Sequence, residues 1–190
     1  MFDVIDEMIL AESYQLERRG QVVVDKDNYF KVIEGKTGAL FRWAMRAGGT
    51  AGGLSKDECA ALEQFGHHVG SAFQLVDDLL DFGGVREKTG KALFVDLREG
   101  KITYPLLIAI ERDKNLQKLL GAFLADENSN LPDTLIHAVK TSMDNTQALA
   151  KTRALAAEKV QLAVSSLDVI PTCEAKDALI TVAEASVYRE

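Results

Sequence analysis

An all-α fold is what this sequence predicts, and three observations carry it. Apolar residues recur at helical spacing along most of the chain, as in Tyr29, Val32, Ile33, Leu40, Trp43 and Ala44. The strict alternation of a half-buried strand is weak. Proline is scarce, at three residues, and alanine and leucine dominate the last third. With 190 residues and 47% hydrophobic content the chain is long enough to bury a substantial core. It reads as a single helical domain over residues 1–190, with no linker, repeat or low-complexity stretch dividing it.

The elements follow in order. Phe2, Ile5, Met8 and Ile9 are already in helical period and place a first helix at roughly 2–19. No Ser, Thr, Asp or Asn stands ahead of them to cap its first turn, so the chain reads as a C-terminal portion, truncated at its start. A second helix spans roughly 28–47, and the pairs Gly48-Gly49 and Gly52-Gly53 end it. Ser55 followed by Glu58 is a capping box that opens a long helix at roughly 55–82. A glycine- and lysine-rich segment then runs to Pro105, which suits the first turn of a helix at roughly 104–111. Further helices fall at roughly 115–124, 132–143, 146–167 and 173–189, with Asn128-Ser129-Asn130 and Pro132 marking the turn before the second of these. Phe41, Trp43 and Phe65 are expected in the core.

The formal net charge of −7 argues against a nucleic-acid binder, because a phosphate backbone demands a basic footprint. Cys59 and Cys173 lie far apart, without a CxxC neighbourhood, which indicates neither a zinc site nor a disulfide framework and suits a reducing cytosol. No run of about 18 apolar residues marks a membrane span, and no charged-plus-apolar leader is present. A cytoplasmic protein is expected.

Chemistry concentrates in Phe73-Gln74-Leu75-Val76-Asp77-Asp78-Leu79-Leu80-Asp81-Phe82. On a helix Gln74, Asp77, Asp78 and Asp81 fall within an arc of roughly 100°, with Leu75, Val76, Leu79 and Leu80 on the other side. His67, Gly70 and Ser71 extend the polar stripe backward. Asp77 and Asp81 stand at the i,i+4 spacing where like charges repel, and no Lys or Arg of the helix neutralises them. A hard divalent cation would, since Mg²⁺ is typically held by one or two carboxylates, waters and substrate phosphates. By that geometry Asp77 and Asp81 clamp the metal and Asp78 is offset. The alternative is a solvated polar face.

Lys88, Lys91, Arg98 and Lys101 lie in the segment from Gly83 to Pro105, beside Gly90 and Gly100. Glycine beside lysine lets backbone approach an anion while the ammonium serves as a mobile charge for phosphate. A plain surface loop is the other reading. Lys36-Thr37 interrupts an otherwise apolar-periodic helix, where a lysine can also snorkel to water.

Together YFKVIEGKTGALF, FQLVDDLLDF, GK…DLREGKITYPLL and ALITVAEASVYR resemble the second half of a trans-type polyprenyl diphosphate synthase, over nearly the whole chain and in family order. The resemblance implies an isoprenoid-synthase helical bundle, in its C-terminal portion. It implies Mg²⁺-dependent condensation of isopentenyl diphosphate with an allylic diphosphate. The family's second aspartate-rich, metal-binding motif maps to Asp77, Asp78 and Asp81. Its allylic-substrate contacts map to Lys36, Thr37 and Gln74, and the two lysines that grip the diphosphate to Lys91 and Lys101. Lys36, Asp77, Lys91 and Lys101 are the residues expected to carry catalysis. Ala11-Glu12-Ser13-Tyr14-Gln15-Leu16 resembles the family's Gly-Glu-x-x-Gln-Leu, which puts Glu12 on the cavity lining; His67 reads as structural.

The departure is equally specific. No earlier DDxxD is present, since Asp3/Asp6 and Asp25/Asp27 lack the spacing. Two alternatives therefore stand beside the synthase: a non-catalytic subunit or fragment of one, and a helical terpene cyclase, which shares the ionisation chemistry but has no need of the Lys-Thr and GKITYP elements. Homodimerisation, or association with the missing N-terminal half, is expected.

Overall fold

The computed structural model describes residues 2–83, 93–126 and 130–188. Its helices are α1 (Phe2–Glu17), α2 (Lys26–Ile33), a π-helical segment (Glu34–Gly38), α3 (Ala39–Ala51) and α4 (Lys56–Gly83). After these come α5 (Val95–Arg98), α6 (Tyr104–Arg112), α7 (Lys114–Leu124), α8 (Asp133–Thr146), α9 (Ala148–Ser166), a 3-10 turn (Leu167–Val169) and α10 (Glu174–Val187). No strand occurs among the described residues.

The long helix α4 is the axis of the bundle, with α3 along one side and α9 along another. Its capping box forms as the sequence predicts: the Glu58 carboxylate accepts from the Ser55 backbone N–H at 2.8 Å, and the Ser55 hydroxyl accepts from the Glu58 N–H at 3.3 Å. Leu62, Phe65 and Val69 form one apolar cluster with Val160, Leu167 and Val187 of the C-terminal helices. A second cluster gathers around α6, whose residues from Pro105 to Ile110 are all buried, with Leu116, Leu120 and Val139 packed about it. Leu75 and Val76, both fully buried, meet Ala156 between the two. Phe65 and Phe41 lie in or against the core, whereas Trp43 is half-buried and belongs to neither cluster.

Two expectations about helix ends are corrected. Gly48-Gly49 does not end the helix, which runs on to Ala51. Gly49 is instead a contact: a Cβ there would meet Leu62 Cδ1 at 2.8 Å and Cys59 Sγ at 3.2 Å, so its hydrogen lets α3 approach α4. Gly53, at φ +75°, provides the left-handed turn that stops the chain. The segment after α4 is not loop throughout, because α5 forms inside it. Asp25 also starts α2 two residues early, its side chain accepting from the Asn28 N–H at 3.0 Å.

Adjacent histidines on α4 make acid stability a direct test of this packing. Burial pulls His67 below its ordinary value, and burial plus the neighbouring His67 and Lys159 pull His68 down to about 4. His68 Nδ1 is buried without a hydrogen-bond partner. The unfolded chain therefore binds protons here that the folded one resists. The contribution is fully present above the unfolded value, about 6.5, and is lost as pH falls toward 4. Between pH 7 and 4.5 the urea midpoint of the parent should fall relative to that of His68→Gln, a comparison in which the carboxylates common to both proteins cancel. An identical pH profile in the variant would remove His68 from the cause.

Candidate functional site

A cavity of about 310 Å³ lies between α1, α2, the π segment, α4 and the stretch from Asp96 to Leu107. Lys36, Thr37, Gln74, Asp77, Asp78 and Lys101 are all on its wall. Asp81 is not among the lining residues, and Lys88 and Lys91 lie outside the described residues.

Tight backbone crossings bring these groups together. A Cβ on Gly35 would meet Ala11 Cβ at 2.7 Å, and one on Gly70 would meet Gly38 Cα at 3.0 Å. Glycine at these crossings seats the π segment between α1 and α4. An α-helix turns its residues by about 100° each, and the wider π turn lets the consecutive Lys36 and Thr37 share one wall. Lys36 Nζ sits 2.5 Å from the Glu12 carboxylate and donates to Gln15 Oε1 at 3.0 Å. Glu12 is thus a partner of Lys36 rather than a lining residue. The Thr37 hydroxyl donates to Gln74 Oε1 at 3.1 Å, which orients the amide so that Gln74 Nε2 donates to Asp78 Oδ1 at 3.1 Å.

The three aspartates have three different environments. Asp77 lines the cavity. Asp78 is 2% exposed and accepts three hydrogen bonds: from Gln74, from the Tyr29 hydroxyl at 2.6 Å and from the Tyr104 N–H at 3.2 Å. Burial pushes its carboxyl up to about 7, against those three donors, which favour the ionised form. The same burial, with the Asp78 charge beside it, raises the Tyr29 phenol well above its usual range. Asp81 accepts from the Val95 N–H at 2.8 Å and the Asp96 N–H at 3.2 Å, so it holds the first turn of α5. The stripe is not a solvated face.

Beyond α5, the positive φ of Gly100 (+77°) turns the chain, and its carbonyl accepts from Gly20 N–H at 2.9 Å. That turn carries Lys101 to the cavity, where Nζ lies 2.7 Å from Glu99 and 3.3 Å from Asp96. Burial works against its charge, but the two carboxylates prevail and raise its pKa. His67 stands away from the cavity wall, 3.5 Å from Glu34.

Sequence reasoning missed Tyr29, which it counted among the apolar-periodic residues, and Asp96, which shares the cavity wall with Asp77. The signal for Asp96 was its place five residues before Lys101 in a short glycine-bounded segment. Tyr29 had none, because its partner is 49 positions away. Thr103 also lines the cavity, and its buried hydroxyl has no hydrogen-bond partner.

The family described as Polyprenyl synthetase matches residues 1–143. Octaprenyl diphosphate synthase of Escherichia coli (strain K12) is 32% identical over 190 residues, covering 100% of this chain and 58% of the relative. Decaprenyl-diphosphate synthase of Dictyostelium discoideum is 34% identical over 189 residues, covering 100% of this chain and 40% of the relative. Among solved structures, a decaprenyl diphosphate synthase from Rhodobacter capsulatus superposes with a TM-score of 0.87 at 31% identity, covering 99% of this chain and 58% of that one. A polyprenyl synthase from Caulobacter crescentus CB15, complexed with calcium and isoprenyl diphosphate, superposes with a TM-score of 0.89 at 30% identity, covering 98% and 57%. The chain spans between two fifths and three fifths of the length of these relatives.

Proposed function

Because the chain belongs to the polyprenyl synthetase family, we propose that it carries the allylic-diphosphate half of a prenyltransferase site. In that reading the site ionises an allylic diphosphate so that isopentenyl diphosphate can be added to it. The observation that carries this reading is the meeting of Lys36, Gln74, Asp77, Asp96 and Lys101 around one cavity with an apolar side.

The donor set fits Mg²⁺. No cluster of three or more His, Cys, Asp or Glu side chains forms among the described residues. Asp77 and Asp96 nonetheless both line the cavity, and Mg²⁺ is commonly held by one or two carboxylates with waters and substrate phosphates completing the shell. The orphaned Thr103 hydroxyl is a polar group left for a ligand or its water. We assign Asp77 and Asp96 as the direct holders. Asp78 keeps its buried anchor role, and Asp81 positions Asp96 through the start of α5. When bound, Mg²⁺ would supply positive charge to the departing diphosphate.

The chain's own residues do the rest. Lys36 and Lys101 offer ammonium donors to the diphosphate oxygens, with Lys91 assigned beside them by the family motif; negative charge growing on the leaving group is stabilised where these charges are already fixed. Thr37 and Gln74 orient the substrate through their shared hydrogen bond. Val32, Ile33, Ile102 and Leu107 supply apolar wall for the prenyl chain and exclude water from the carbocation. A cytoplasmic location belongs to the same reading, supported by Cys59 and Cys173 remaining free thiols. No helix among the described residues is long and apolar enough to cross a membrane.

Calorimetry with a non-hydrolysable allylic diphosphate tests the site. Asp77→Ala should abolish the Mg²⁺-dependent part of binding, and Lys101→Ala should weaken it by roughly tenfold to a hundredfold, the loss of a charge-assisted hydrogen bond. Unchanged affinity in Asp77→Ala would sink the metal assignment. The match to 58% of the Escherichia coli relative favours a second reading, in which the chain is a subunit or fragment that needs a further module to turn over. The purified 190-residue chain should accordingly make no polyprenyl product in a radiolabelled prenyl-transfer assay. Robust chain elongation would defeat that reading.

A further inference from the structure

Among the described residues, four side chains bring positive charge to the wall of the site cavity: Arg18, Arg19, Lys36 and Lys101. Three of them are already engaged. Lys36 is held by Glu12 and Gln15, Lys101 by Glu99 and Asp96, and Arg18 lies 3.8 Å from Asp25 with its guanidinium over the Tyr14 ring. An anion that reaches these groups exchanges one negative partner for another, which limits what each can add to binding. Arg19 stands apart. It makes no ion pair among the described residues, and Glu99, which feels its charge, is committed to Lys101 at 2.7 Å.

The backbone explains how Arg19 reaches this wall. Beyond α1 the chain turns once more, the Arg19 N–H donating to the Leu16 carbonyl at 3.2 Å. Gly20 follows at φ +80°, a conformation that suits glycine, and donates its N–H to the Gly100 carbonyl. Gly100 is buried at this contact: a Cβ there would meet Arg19 Cγ at 3.1 Å and Gly20 N at 3.2 Å. The stem of Arg19 therefore lies across the glycine that precedes Lys101, and both cations line the cavity. In the sequence Arg19 falls between the Glu12 and Lys36 motifs and belongs to neither.

We infer that Arg19 is a further diphosphate-binding residue of this site, donating to phosphate oxygens together with Lys36 and Lys101. A guanidinium suits that task. It stays charged at any working pH, presents parallel N–H donors that match two oxygens of one phosphate, and is more weakly hydrated than an ammonium. Arg19 gains these bonds without giving up an ion pair, and its charge is already in place as negative charge grows on the leaving group. Given the prenyltransferase reading above, on which this rests, Arg19 supplies a contact beyond those of the motif residues. Arg19 also borders a neighbouring cavity of about 560 Å³, and Arg98 lines that cavity but not the site. Arg98 is exposed and makes no ion pair among the described residues, so it is a matched control of the same charge.

Calorimetry of the 190-residue chain with Mg²⁺ and inorganic diphosphate tests the assignment. Arg19→Met keeps an aliphatic stem over Gly100 and removes the guanidinium; it should weaken diphosphate binding at least about tenfold, the loss of a charge-assisted contact. Arg19→Lys restores the charge without the fork and should recover part of that loss. Arg98→Ala should bind within about twofold of the parent, because an exposed charge away from the site is screened by salt. Arg19→Met binding as tightly as the parent would overturn the assignment. So would an equal loss in Arg98→Ala, since general surface charge would then account for both. The two claims come apart in the parent: a chain that binds no diphosphate overturns the prenyltransferase reading and Arg19 with it, whereas a parent that binds and an indifferent Arg19→Met remove Arg19 alone.

Discussion

Asp78→Ala should lower the unfolding free energy by about 3 kcal/mol, more than any other change in the aspartate run. The carboxylate accepts from Tyr29 on α2, Gln74 on its own helix and Tyr104 at the start of α6. Alanine strands these donors in a place that is 2% exposed, and an unsatisfied buried donor costs about 1–3 kcal/mol. Part of the loss is offset, since a buried carboxyl whose pKa stands near 7 is itself poorly solvated. Asp78→Asn should recover most of the stability. Its amide oxygen can serve both Tyr29 and Tyr104, which share Oδ2, and Gln74 can flip to meet the new N–H₂, with Thr37 then accepting in place of donating. Urea denaturation of the three proteins decides the matter. An Asp78→Ala chain as stable as the parent would mean that the network adds nothing net to the fold. Asp77→Ala should remove Mg²⁺-dependent ligand binding, so neighbouring aspartates would separate into an anchor and a ligand.

The second large effect is expected from Gly66→Ala. A Cβ at Gly66 would lie 2.6 Å from the Phe41 carbonyl oxygen, 2.8 Å from its carbon and 3.0 Å from Arg42 Cα. These are backbone atoms of α3, so no side chain can rotate out of the way and the two helices must part. Overpacking commonly costs about 1–3 kcal/mol, and a clash with main chain belongs at the upper end. Gly48→Ala is the matched control. It lies in the same helical pair with nothing within 4 Å of the added methyl, and alanine should there stabilise by about 0.5–1 kcal/mol through helix propensity. Thermal midpoints that moved together in the two variants would show that α3 and α4 are not pressed to main-chain contact.

The split between local and distant causes runs through the site itself. Periodicity and capping are local properties, and where local energies decide, the sequence was legible. The all-helical class, the Ser55–Glu58 box, the start of α6 at Pro105 and the clustering of Lys36, Thr37, Gln74, Asp77 and Lys101 toward one cavity all follow from residues a few positions apart or from family motifs. Even the failure at Gly48-Gly49 was of this kind in reverse. Helix propensity argues for a stop there, but close packing of Gly49 on Leu62 rewards continuing the helix. What the sequence alone determined is which residue types stand on which stripe of which helix.

Only the tertiary structure decided what each of them touches. Asp77, Asp78 and Asp81 are chemically identical and share one polar arc, yet one lines the cavity, one anchors three elements and one holds the first turn of α5. Those roles are set by Tyr29, Tyr104 and Val95, brought in by the packing of α2, α5 and α6 against α4. Burial determines the rest, because the carboxyl of Asp78 is raised by losing water rather than by anything adjacent in the chain. A carboxylate's chemistry depends on its solvation and on donors that arrive from distant segments. Neither quantity exists until the helices have packed.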